Sequence, residues 1–550
     1  MTTTDAGGGL GRASALLASG TIVSRILGFV SAAVLAQAIG STGVGADTFA
    51  IANQLPNNIY AIIAGGLLSA VLVPQIVKAG MHDDGGQRFI NRLVTLGLAV
   101  FVIAAVAATV AAPWLVALYA QQSSDGSRGL SPDEIALATA FAYWCLPQVL
   151  FYAIYSLLGE VLNARKIFGP FTWTPVLNNL VAIAGMVVFI VAFGRESAHI
   201  DAASWTGPMI TLLAGSATLG IAVQGLGLFY FWRRAGLTYR PDFHWRGVGL
   251  GATGKAASWV FGMIVVTQLA GIVQTNVASI AGGSGNPSVR SLSLSWLIFM
   301  LPHSIVAVSI ATAYFTRMST HAHEGNLEGV RTDFSASTRS IGLIMVFSAV
   351  GLIVLAFPFS AVFESDFDIT RKMAFVVIAY LVGLVPFSLL FLIQRTFYSL
   401  GDTRSPFFLQ VLQSVLFVAG ASIVASFAQE WIAVGIAAVT SIAGSVQAVV
   451  AAIALRKRLG RVDGALIVRR YATFLLATVP AAAIGVALLF ALGGTTKGGF
   501  AVQTPFTAVV SMAVIGGAMA LVYAGVLVAL RNPELGEIVR PVVRRVRNRG

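Results

Sequence analysis

Apolar residues run through most of this chain in blocks of twenty or more, separated by short polar stretches, with no strand-like alternation. Crossing about 30 Å of hydrocarbon takes roughly 20 residues in a helix. On that measure the blocks at 13–39, 48–77, 93–120, 133–162, 171–194, 206–232, 256–281, 291–316, 338–363, 373–399, 406–428, 432–455, 471–493 and 505–530 each predict one spanning helix. About fourteen are therefore expected, in an all-α integral membrane fold. A barrel would show short alternating segments instead. The first twelve residues are Gly/Thr-rich and polar, and the first apolar block is too long for a signal h-region, so no cleavable leader is expected.

Composition agrees. Hydrophobic residues make up 57% of 550 and charged residues 10%, where a soluble domain has roughly 45–50% and 25%. The net charge of +13 raises nucleic acid as a partner, but its distribution removes it. Arg25 lies inside the first span. Arg128, Arg195, Arg290, Arg371, Lys372 and Lys497 fall in loops on one side, and every other basic residue falls on the opposite side. Basic residues concentrate on the cytoplasmic side of membranes. This places both termini in the cytoplasm of a multi-pass protein of the cell membrane and makes anionic lipid the partner of the positive charge. The Arg-rich stretches 234–255 and 535–549 read either as interfacial helices or as plain basic flanks. The lone Cys145 excludes an intramolecular disulfide. No metal or cofactor signature is present.

Two pieces recur about 240 residues apart. Leu55-Pro56-Asn57-Asn58-Ile59-Tyr60-Ala61 is similar to Leu301-Pro302-His303-Ser304-Ile305-Val306-Ala307, and Arg165–Pro170 is similar to Asp402–Pro406. The offset is six helices, and an even offset keeps both copies in one orientation. The expected architecture is two six-helix lobes related by a pseudo-two-fold axis, with two helices appended. In segments these are a cytoplasmic 1–12, an N-lobe over 13–236, a C-lobe over 237–458, helices 13 and 14 over 459–531, and a basic tail over 532–550. Pro56 and Pro302 each remove a backbone donor, which serves either a hinge or a static kink.

Arg25 is the first candidate for chemistry. It lies about twelve residues, or about 18 Å, into its span, where a charge in lipid costs roughly 2.5 to over 10 kcal/mol. It therefore faces either a wet interior holding an anionic group, for which a guanidinium fork suits phosphate oxygens, or a structural partner. Asp47 opens helix 2 where, by itself, it reads as an ordinary helix cap or dipole partner. Asn53, Gln54, Asn57 and Asn58 line a cavity or join helices. Asn178, Asn179, Gln274, Asn276 and His303 are weaker candidates of the same kind. Asp402 and Arg404 sit on a short turn and are expected to pair locally and shape a gate.

Several of these residues carry a resemblance. Ser24-Arg25-Ile26-Leu27-Gly28-Phe29, Asp47-Thr48-Phe49 through Leu55-Pro56-Asn57, Leu162-Asn163 through Pro175-Val176-Leu177-Asn178, and Phe397-Tyr398-Ser399-Leu400-Gly401-Asp402-Thr403-Arg404-Ser405-Pro406 occur in order. Together they resemble the MurJ/MviN family of lipid II flippases, actinobacterial in type, within the MOP exporter superfamily. The resemblance implies export of undecaprenyl-pyrophosphate-linked disaccharide pentapeptide to the outer leaflet by alternating access, for peptidoglycan synthesis. It implies substrate contacts at Arg25, Ser24, Asp47, Asn53, Asn57 and Asn58, hinge or gate positions at Pro56, Pro302, Gly28, Asp402 and Arg404, and a lipid-tail groove at helices 13 and 14. The chain also departs from the pattern. Ser31 and Ala32 replace the family's second arginine and the acid after it, Tyr60 an arginine of helix 2, and Leu297 the cavity arginine of helix 8. Actinobacterial members often carry a pseudokinase-like region after the membrane domain, so the end at Gly550 suggests a shorter relative or part of a longer chain.

Three other functions fit parts of the pattern. A cation-coupled multidrug exporter normally needs an intramembrane carboxylate, and Asp47 and Glu160 lie near membrane boundaries. A membrane enzyme acting on polyprenyl phosphates needs acid pairs or a metal cluster; Glu364, Asp366 and Asp368 have the spacing but no His partner. A scaffold that has lost transport and recruits cell-wall synthesis proteins is favoured by the missing arginines.

Overall fold

The computed structural model describes residues 6–67, 86–123, 128–165, 167, 169–195, 201–234, 236–244 and 254–536. Among them the protein is all-α. The long helices are α1 Ala6–Ile39, α2 Val44–Leu67, α3 Gln87–Val110, α4 Pro132–Asn163, α5 Gly169–Phe193, α6 Gly207–Arg234 and α7 Gly254–Ala278. They continue with α8 Val289–His323, α9 Leu327–Val354, α10 Phe367–Ser399, α11 Arg404–Val424, α12 Gln429–Leu459, α13 Gly464–Ala491 and α14 Pro505–Ala529. Thirteen of these are long and apolar enough to cross a membrane. The other, α2, is 24 residues long, and the four amides between Asn53 and Asn58 lower its hydropathy. The end of the expected span 48–77 and the tail beyond 536 lie outside the described residues.

Helix boundaries follow local chemistry. Ser131 and Glu134 form a reciprocal capping box before Pro132, satisfying two N–H groups the first turn leaves open. Thr504 and Thr507 do the same before Pro505. Gly460, at φ 80°, ends α12 in a conformation glycine adopts without a Cβ clash.

The chain forms two compact units, Met1–Arg290 and Ser291–Gly550. In the first, α5 packs on α6 and α1, α4 on α6, α3 and α2, and α7 on α2. Its core gathers Phe101, Val149, Leu157, Leu158, Val161 and Trp232. Although the repeat count assigns α7 to the second half, α7 is joined to the first unit by polar contacts. Gln268 Nε2 donates to the Asn58 carbonyl at 3.1 Å and Thr275 Oγ1 to Gln54 Oε1 at 3.4 Å. In the second unit α9 packs on α8, α10 and α13, α12 on α10 and α11, and α13 on α14.

Residues 236–244, within one of the two Arg-rich stretches, are not helical. They lie along the start of α3 as a strap, with Asn91 Oδ1 accepting from the Arg240 N–H at 3.3 Å and Thr95 Oγ1 from the Asp242 N–H at 3.1 Å. Asp242 in turn pairs with Arg92 Nε at 2.9 Å. The His244 N–H, the Arg92 side chain and the His244 ring all donate to this carboxylate, and they hold its pKa down at about 2.

Candidate functional site

In α1, Arg25 is exposed and Ser24 half-buried. The neighbouring turn is fixed from α5, where Asn179 Nδ2 donates to the Ser24 carbonyl at 3.0 Å. A Cβ at Gly28 would meet only the Asn179 amide at 3.9–4.0 Å, ordinary contact. Gly28 lies inside a continuous helix.

Asp47, in the first turn of α2, is fully buried. Its Oδ1 accepts from the Arg290 N–H at 3.1 Å. Arg290 is the second residue of α8, so Asp47 caps a helix remote in sequence, satisfying a donor left open in its first turn. The Arg290 guanidinium reaches the Ala32 carbonyl of α1 at 3.4 Å. Sequence reasoning counted Arg290 only as a loop charge. Its side chain instead arrives at the turn of α1 where the family pattern has a second arginine, and only the length of an arginine side chain hints at that reach.

The amides of α2 divide between two roles. Asn53 Oδ1 accepts from Gln148 Nε2 at 3.4 Å, and Gln148 also donates to Thr218 Oγ1 at 2.9 Å, linking α2, α4 and α6. Asn58 Nδ2 donates to the Tyr119 hydroxyl at 3.3 Å. These two join elements. Asn57 is exposed. Pro56 is buried within a helix that stays α-helical. Tyr60 is packed between the rings of Phe101 and Tyr152, with centroids 5.8 and 5.7 Å away, so this departure from the family pattern is an aromatic core contact.

In the second unit, Pro302 is followed by a π turn over His303–Ala307. His303 is buried, with Nδ1 3.0 Å from Ser388 Oγ and its ring edge-on to Phe387. This is the satisfied interior histidine. Leu297 is half-buried, and its neighbour Trp296 stacks on Phe299. Asp402 accepts from the Ser405 N–H at 2.9 Å and from its hydroxyl at 2.6 Å. The Arg404 guanidinium lies over the Phe408 ring at 5.5 Å. Each thus acts on its own turn. Glu364 and Asp366 accept nearby backbone N–H groups ahead of α10, as loop and cap residues do. No group of metal-ligating side chains occurs among the described residues.

A bundle of this composition and length, with an exposed arginine inside its first helix and partly buried amides along its second, defines a multi-pass membrane protein. The fold is that of solved members of the MOP superfamily. A multidrug resistance MATE transporter in an inward-facing conformation aligns with a TM-score of 0.60 at 17% identity, over 80% of this chain and 95% of that one. The lipid II flippase MurJ in an inward closed conformation aligns at 0.69 and 18% identity, over 93% and 98%. The family model for the lipid II flippase MurJ matches residues 35–510, and the chain belongs to that family. Among curated relatives, the probable lipid II flippase MurJ of Haemophilus influenzae is 26% identical over 70% of this chain and 75% of its own length. That of Rhizobium meliloti is 25% identical over 86% of each.

Proposed function

We propose that this protein translocates the lipid-linked peptidoglycan precursor lipid II from the inner to the outer leaflet of the cell membrane, with both termini in the cytoplasm. The observation that carries the reading is the family match, which runs through both compact units. The chemistry fits. A pyrophosphate and its sugars do not cross hydrocarbon unaided, whereas a polyprenyl tail is at home there. What the protein has to supply is a hydrated cationic surface across the bilayer. Arg25 is exposed in a span where lipid contact would be costly, and we assign it the pyrophosphate. Asn57, exposed one turn below the Asn53 contact, is assigned to sugar or peptide. Asn53 and Asn58 act by holding α2 in place. Anionic inner-leaflet lipids and cell-wall synthesis proteins are proposed as partners of the basic loops.

The test is replacement of the resident flippase in cells that depend on it. Wild type is expected to restore growth, and Arg25→Ala at equal abundance in the membrane to fail. Rescue by both removes Arg25 from the mechanism. Failure of both leaves a scaffold that recruits cell-wall proteins.

A further inference from the structure

In the second unit, three charges meet at the end of the bundle where α9 and α13 begin and α14 finishes. The chain leaves α14 through Arg531, at φ 50°, and returns Glu534 into the protein, where it is 3% exposed. Glu534 Oε1 receives Arg339 Nη1 of α9 at 2.8 Å and lies 3.3 Å from Arg470 Nε of α13. Both guanidiniums thus face one carboxylate oxygen, with only Arg339 hydrogen-bonded to it, leaving an excess of one positive charge.

The carboxylate also fits these partners poorly. Its Oε2 is buried without a hydrogen bond, and so are two donors beside it, Arg470 Nε and Asn532 Nδ2. A buried polar atom without a partner costs about 1–3 kcal/mol, so the turn offers more donors than a single oxygen uses. A phosphate presents several oxygens and matches two guanidinium forks better than a carboxylate held at one point.

The helices that carry the arginines do not depend on Glu534 for their approach. The Tyr471 hydroxyl donates to the Thr338 carbonyl at 2.9 Å, and the Tyr523 hydroxyl to the Leu343 carbonyl at 2.7 Å. The Tyr471 ring covers Gly342 so closely that a Cβ there would fall 2.3 Å from it. Beside this corner, Val468, Leu475 and Leu476 of α13 and Leu521 and Val528 of α14 expose apolar side chains, a surface for acyl or prenyl chains. The basic loops assign this end to the anionic leaflet.

We propose that Arg339 and Arg470 form a binding site for the phosphate group of an anionic lipid, and that Glu534 is its built-in occupant, displaced when such a headgroup arrives. Two lipids share the chemistry, a bulk phospholipid and a polyprenyl pyrophosphate. Only the second rests on the transport reading above.

The full chain is purified in dodecyl maltoside, which carries no phosphate, as wild type, E534Q and R470Q. Binding is followed by native mass spectrometry for phosphatidylglycerol and for geranylgeranyl pyrophosphate, with diacylglycerol and geranylgeraniol as phosphate-free controls. E534Q is expected to bind the phosphate lipids about tenfold more tightly than wild type, and R470Q about tenfold more weakly, each corresponding to roughly 1.4 kcal/mol. Preference for the pyrophosphate over phosphatidylglycerol identifies the transport substrate as the source; equal binding identifies bulk anionic lipid. Equal affinity in all three proteins, or a gain in E534Q matched by the phosphate-free controls, overturns the site. R470Q leaves one cation facing one carboxylate and so keeps the local charge balanced. If E534Q does not fold, wild-type binding that R470Q loses supports the proposal, and binding absent from wild type or unchanged in R470Q overturns it.

Discussion

The two matched prolines occupy corresponding places in the repeat and are accommodated in opposite ways. Around Pro56 the helix stays α-helical, and its surroundings are polar: Asn53 meets Gln148, Gln54 meets Thr275, and the Asn58 carbonyl receives Gln268. Around Pro302 the helix widens into a π turn, and its surroundings are aromatic: Phe299, His303, Phe387 and Phe391. In one case the α-helical run continues through the proline with amides of neighbouring helices close by, and in the other the helical pitch changes just beyond it. Sequence similarity between two repeat copies therefore does not carry over to how each copy is held.

The largest expected effect tests the polar half. Asp47→Ala removes the cap of α8 and leaves the Arg290 N–H without its acceptor, so a loss of about 3 kcal/mol is expected, read as thermal unfolding in detergent. No change there would mean that the polar contacts of the first unit contribute little, and the contrast would collapse. The two prolines themselves come next. Pro56→Ala should raise stability by up to about 3 kcal/mol, because it restores a donor to a helix that is already regular. Pro302→Ala should give a smaller gain, since the restored donor would sit at the edge of a widened turn rather than inside a regular helix. Equal gains would show that the widened turn is incidental. His303→Ala is expected to cost about 1–2 kcal/mol through the lost Ser388 contact and edge-on ring packing, with little dependence on ionic strength.

The smallest effect concerns the strap 236–244, where the first unit again relies on polar contacts. Asp242 has a folded pKa of about 2, below the ordinary value near 3.9. Its contribution is thus present above about pH 4 and lost as the pH falls toward 2. Hydrogen exchange of 237–244, corrected for intrinsic rates, should quicken over that interval, and D242N should show the quicker rate at neutral pH.

Much of the architecture was legible because lipid imposes a coarse requirement. A segment is long and apolar or it is not. Which face of a helix meets which neighbour is a finer matter. The same four amides of α2 suited a cavity wall or interhelical contacts, and Asn53 and Asn58 proved to make contacts while Asn57 stays exposed. Arg290 was legible only as a charge in a loop, because a sequence gives a residue's place and not the reach of its side chain. Tyr60 looked like a departure from a family pattern, and the reason for a ring there emerges only with Phe101 and Tyr152 around it.

The widened turn after Pro302 has a geometric result. Ser295, Phe299, His303, Ala307 and Ala311 are all buried, a series advancing four residues at each step. In a regular α-helix each such step overshoots a full revolution by about 40°, so the series would wind some 160° around the rod and turn its last members toward a different neighbour. One extra residue in a single turn takes back about 100° of that drift. A straight interior seam with a four-residue stride is thereby kept on one side of a helix whose natural period is shorter.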